Sequence, residues 1–142
     1  MYNSAFNDAD VISMDLDGND IYLVEELLAN GASPKLFIVE YNGKFPPHVR
    51  FKIKYNAKHL WAGDDYFGAS LLSFCELFEK YNYRLVCCNT SGANAFFVKR
   101  DFDAFFYDVP SDINEIYVEP FYFFPRKKMH PTSVKTIQLL IQ

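Results

Sequence analysis

The sequence predicts an α/β fold: a mixed sheet of about four or five strands, helices on its faces and an antiparallel hairpin at one edge. Three observations carry this. Residues 11–16 and 36–41 are short apolar runs, and residues 21–30 between them have helical periodicity; strand, helix, strand is the pattern of a right-handed parallel crossover. Residues 83–88 and 94–100 are strand-like and are joined by Asn89-Thr-Ser-Gly-Ala93, a glycine-containing link of hairpin length. The chain has 142 residues, of which 50% are hydrophobic and 18% aromatic, with fifteen Phe and ten Tyr, enough for one domain with a real core and little disorder.

The elements follow in order. The first strand, 11–16, is apolar and ends at a turn. In the helix 21–30, Ile21, Val24, Leu27 and Leu28 share a face and Gly31 suits the stop; Asp17 or Asn19 is placed to cap it, and Asp20 favours the positive end of its dipole. Residues 43–67 form a long insertion with Pro46-Pro47 and a short strand at 49–53, expected to lie over the strand ends; loops of this length are usually functional or mobile. The helix 69–81 carries Leu71, Phe74, Cys75 and Phe78 at helical spacing behind a Ser70 cap, and 101–108 reads as a short helix. After Pro110 the composition changes, dividing the chain into a domain, 1–110, and a tail, 111–142. The tail holds a proline-bounded aromatic stretch at 119–125, the basic cluster Arg126-Lys-Lys128 and a terminal strand or helix at 134–141. Its aromatic run, Phe121 to Phe124, reads as packing across the domain's own core, with docking to a membrane surface as the alternative.

The net charge of −4 argues against nucleic acid as a partner. No apolar run approaches the ~18 residues of a membrane span, and the first ten residues lack a signal peptide's basic start and apolar core. Cys75, Cys87 and Cys88 are odd in number, and adjacent strand residues point to opposite faces, so a reducing, cytoplasmic setting is expected. No Cys/His spacing fits zinc.

The densest chemistry is Asp15-Leu-Asp-Gly-Asn-Asp20, three carboxylates and an Asn at a strand end that leads into a helix. In open α/β sheets ligands sit outside the carboxyl ends of the strands. Asp15, Asp17, Asn19 and Asp20 admit three readings: a substrate or divalent-cation site of oxygen ligands, an EF-hand-like calcium loop with Glu26 at its twelfth position, or a polar turn with a helix cap. Against the calcium loop, Asp20 replaces its turn glycine and a strand precedes it. Glu40 and Asn42 end the second strand, whose axis should lie ~5 Å from the first. Paired carboxylates there would raise each other's pKa and supply a base. His48 and His59 read as solvated loop residues and His130 is assigned no role. Tyr66-Phe-Gly-Ala-Ser70 opens a helix, either as an anion-holding turn or as a tight turn and cap.

Asp15-Leu-Asp-Gly-Asn-Asp20, Glu40-Tyr-Asn42, Tyr66-Phe-Gly-Ala-Ser-Leu71, Tyr83-Arg-Leu-Val-Cys-Cys88 and Asn94-Ala-Phe-Phe-Val98 occur in this order. The set resembles the C-terminal half of FkbM-like S-adenosylmethionine-dependent methyltransferases over residues 10–100. The resemblance implies a partial Rossmann-like methyltransferase sheet, its fourth to seventh strands. Asp15, Asp17 and Glu40 would then be catalytic, with Asp15 and Asp17 also candidate ligands of a divalent cation. Asn19, Asp20, Asn42, His48, Tyr66 and Ser70 would contact substrate. Among Gly18, Gly31, Gly43, Gly63, Gly68 and Gly92 no two make a G-x-G, and ten residues precede Val11. The cofactor-binding half is therefore expected to be missing, and this chain alone is not expected to bind S-adenosylmethionine. The alternative is a non-catalytic binding or assembly module derived from such a half. Without its neighbour, the first strand would expose an edge that invites a second copy, a separate cofactor-binding half, or cover from the chain's own residues 113–141.

Overall fold

The computed structural model describes Phe6, residues 8–121 and residues 130–141. Four strands form one open sheet: β1 (Val11–Met14), β2 (Leu36–Glu40), β3 (Tyr83–Cys88) and β4 (Asn94–Lys99), in the order β1-β2-β4-β3. β1 runs parallel to β2, and β4 runs antiparallel to both β2 and β3. The helices are α1 (Asp20–Ala29), α2 (Leu71–Lys80), α3 (Ile113–Ile116) and α4 (Val134–Leu140).

The core follows from strand alternation and helix periodicity. Phe37 pairs with Phe97, and Phe97 with Leu85, so these three form a row across one face of the sheet. From α2, Phe78 stacks on Phe97 with ring centroids 4.1 Å apart and lies 5.2 Å from Phe37. Ile21, Val24, Leu27 and Leu28 of α1 join the same cluster. Ser70 caps α2, accepting from the Ser73 N–H, and Gly31 ends α1 in the left-handed conformation that glycine adopts without a Cβ clash.

Several expected elements change. The segment 49–53 forms only an isolated bridge, Lys52 to Ala69, instead of a strand. It folds around its own apolar cluster, where Phe45 and Phe51 stack at 4.1 Å against a fully buried Ile53. The short helix expected at 101–108 is present as a 3-10 helix, Arg100–Phe106. The tail contributes the helices α3 and α4 and no strand among the described residues: α3 packs on β3, the strand at the far edge from β1, with Ile116 in the core. The side chains of Asp112 and Ser133 start α3 and α4. The outer edge of β1 has no strand partner among the described residues, and Val11 is 51% exposed. Of the aromatic run expected to pack across the core, Tyr122–Phe124 fall outside the described residues, as does the basic cluster Arg126–Lys128. No helix among the described residues is long and apolar enough to cross a membrane.

Candidate functional site

The parallel register that pairs Met14 with Val39 brings Asp15 alongside Glu40 at the carboxyl ends of β1 and β2. Carboxylate oxygens of Asp15, Asp17 and Glu40 lie within 4.8 Å of one another. Asp17 holds its position in a left-handed backbone conformation (φ 55°), uncommon for a non-glycine residue though tolerated by Asp. Glu40 shares its sheet face with the half-buried Leu36 and Ile38, not with the fully buried Phe37 and Val39. Its Oε2 is out of solvent and accepts no hydrogen bond among the described residues.

The electrostatics follow from this crowding. Burial first, then the charges of Asp15, Asp17 and Asp20, push the Glu40 carboxyl up to about 8. Burial and the neighbouring Asp17 and Asp20 also raise Asp15. No Lys or Arg is among the groups that set either value. At neutral pH Glu40 therefore carries its proton, beside a carboxylate-lined turn.

The other expected contacts have different work. Asp20 is fully buried; its Oδ1 accepts from the Leu16 N–H at 2.8 Å and its Oδ2 from the Gly18 N–H at 2.9 Å. It shapes the turn and is not open to substrate. Asn19 occupies the N-cap position of α1 but makes no side-chain cap bond. Its amide instead donates to the Asn56 carbonyl at 2.8 Å and accepts from the Asn56 N–H at 3.2 Å. Asn42 is fully buried and donates to the carbonyls of Asp65 (2.9 Å) and Phe67 (3.1 Å). The Ser70 hydroxyl is likewise fully engaged, accepting from the Phe51 N–H at 3.1 Å as well as capping α2. The Tyr66 hydroxyl accepts from the Lys54 N–H at 3.3 Å, and His48 is exposed, as expected of a solvated loop residue, in the turn closed by the Val49 N–H and the Pro46 carbonyl. The strand before Asp15 removes the EF-hand reading, since that loop joins two helices.

His59, expected as a solvated loop residue, is instead half-buried against the turn. Its ring packs on Gly18, where a Cβ would collide with His59 Cδ2. Gly18 does not adopt a positive φ, so the glycine is there to admit the ring. Four buried side-chain atoms lack a hydrogen bond among the described residues: Glu40 Oε2, His59 Nε2, Arg84 Nε and Asp103 Oδ1. The last two form an ion pair at 3.2 Å. The two that remain, on Glu40 and His59, both border the Asp15–Asp20 turn. An unpaired buried polar group costs about 1–3 kcal/mol, so an additional polar partner at this turn would be favourable. Only the glycine at the centre of the acidic turn hinted at the close approach.

The turn offers no cradle for a dinucleotide-like cofactor. Asp20 already takes the amides of Leu16 and Gly18, and His59 fills the space above Gly18. Comparison with family models, with curated proteins and with solved structures finds no match to this chain.

Proposed function

We propose that this chain is the substrate-side half of a methyltransferase-like domain, with Asp15, Asp17 and Glu40 at its reactive edge. The observation that carries the reading is their convergence at the ends of two adjacent parallel strands, with Glu40 held up to about 8. The order β1-β2-β4-β3, with only β4 reversed, supports it, since the resemblance implies a parallel sheet closed by an antiparallel hairpin.

Asp15 and Asp17 orient donor groups of a substrate, and Glu40 takes a proton from it when ionised. A base is most useful when its pKa lies near the working pH, which fits Glu40. The three carboxylates also suit a hard divalent cation, whose charge would draw Glu40 back into its ionised form. S-Adenosylmethionine does not fit the groups described, so no step through it is assigned to this chain. The unpaired edge of β1 favours a second reading, a non-catalytic assembly module in which that edge meets a partner.

Two titrations test this. Calorimetry with S-adenosylmethionine is expected to show no saturable heat from micromolar to millimolar concentration; one-to-one binding would overturn the half-domain reading. An NMR screen with small polyhydroxy and amine compounds is expected to move signals of Asp15–Gly18 and Glu40, and to lose that response in Glu40→Gln. A response confined to other parts of the fold would remove these carboxylates from the site.

A further inference from the structure

We infer that residues 130–141 form a strap that, through Asp65, holds the 56–65 loop against the turn of the candidate site, so that releasing the strap frees Asn56 and His59 from that turn. This rests on the reading of Asp15, Asp17 and Glu40 as that site.

The loop has two anchored ends. At one end Asn56 is bound to Asn19 and His59 lies on Gly18, both in the turn that carries Asp17. At the other end is Asp65, the centre of the strap's attachment. Its Oδ1 accepts from the Ser133 N–H at 2.7 Å and from the Thr136 hydroxyl at 2.8 Å, and its N–H donates to the Pro131 carbonyl at 3.0 Å. Its Oδ2 pairs with the Lys44 ammonium, which also donates to Thr132 Oγ1 at 2.7 Å. Between the two ends, Trp61 donates from Nε1 to the Asp64 carbonyl, and its ring meets His130 at 5.0 Å and Phe67 at 5.8 Å. The strap thus grips the loop at Asp65 and at Trp61.

The grip is polar and local. Within α4 only Thr136 is buried, while Val134, Ile137 and Leu140 are 49% exposed or more. Leu139, half-buried against the Phe45 cluster, adds the apolar part. A segment with so little buried apolar surface opens at a lower free energy than the sheet, and opening it does not require unfolding the core. Asn42 keeps the carbonyls of Asp65 and Phe67 on the end of β2, so the loop is loosened from residue 65 back toward His59 and is not lost altogether.

The protein carries its own reporter, since Trp61 is its single tryptophan. In the full chain, Thr136→Val and Asp65→Asn are expected to shift Trp61 emission to the red and to speed amide exchange at 56–62 by about tenfold or more. Strand amides are expected to be unchanged. A red shift without faster exchange at 56–62 would overturn the strap. If the variants do not fold, exchange of the wild-type chain in sub-denaturing urea decides: residues 130–141 and 56–62 must open in one step below global unfolding, and separate openings refute the coupling. A wild-type Glu40 that titrates in the ordinary range would fail the site reading alone, leaving emission and exchange to test the strap.

Discussion

Glu40 and Asp65 are both carboxylates withdrawn from water, and their surroundings drive them in opposite directions. Asp65 meets an ammonium, a backbone N–H and a hydroxyl; burial pushes it up, but the Lys44, Ser133 and Thr136 contacts outweigh burial and hold it below the usual carboxylate range. Glu40 meets Asp15 and Asp17, has an oxygen with no partner among the described residues, and is pushed up to about 8. The first arrangement is complete and binds two parts of the fold. The second is incomplete and is stable only with a proton or a further partner. Satisfied carboxylates hold structure, whereas crowded ones with unmet hydrogen bonds are where a protein places chemistry.

The contrast can be broken most forcefully at Asp65. Asp65→Ala leaves the Ser133 N–H and the Thr136 hydroxyl without this acceptor and Lys44 without its ion-pair partner, and is expected to cost about 3 kcal/mol in urea unfolding at pH 7. Because the folded-state pKa of Asp65 is lowered, its contribution is complete above the ordinary carboxylate range and is lost as pH falls through and below it. Fluorescence of Trp61 on acidification should therefore report loss of the strap before the sheet melts.

Glu40 carries the opposite sign. Its raised pKa means that the folded state keeps a proton that the unfolded chain gives up, so stability falls as pH rises from about 4.5 to about 8 and then levels. Glu40→Gln is expected to be nearly neutral at pH 4.5 and stabilising at pH 8.5 by up to about 4 kcal/mol, less whatever solvent screening removes, read from paired urea curves. A variant that destabilises equally at both pH values would mean that Glu40 is a satisfied structural group like Asp65.

Smaller effects sharpen the boundary of the site. Gly18→Ala is expected to cost about 1 kcal/mol and to turn the His59 ring out of the turn, visible as a change in its imidazole signals. Asn19→Ala removes the two bonds to Asn56 at a comparable or smaller cost and should raise amide exchange at 56–59 without touching α1, whose N-terminus that side chain does not cap.

What could be read in the sequence was whatever is local or periodic. Two apolar runs flanking a helical stretch predict β1, α1 and β2, and adjacency of parallel strands places Asp15 beside Glu40. Ser70 and Gly31 announce the start of α2 and the end of α1 by their backbone chemistry. The division of labour inside Asp15–Asp20 was not legible. Asp17 and Asp20 are the same residue type three positions apart, and only the three-dimensional path of the turn buries one and exposes the other. Asn42 and Tyr66 were expected at substrate for the same reason, since the loop that Asn42 pins has no periodicity to reveal its fold. The Asp65 node was equally hidden: it joins residues 21 and 71 positions apart. Residues 113–141 were one of three covers open to β1, but Asp112 and Ser133 are helix-starting residues, and α3 packs at the opposite edge of the sheet.

The carboxyl titration of Glu40, followed by carbon NMR on labelled full chain, tests the central claim most directly. The account predicts a midpoint near 8 that falls in Asp15→Asn, because a neighbouring negative charge is gone. A midpoint near the ordinary 4.5, unmoved by Asp15→Asn, would show that the three carboxylates do not act as one site and would contradict it.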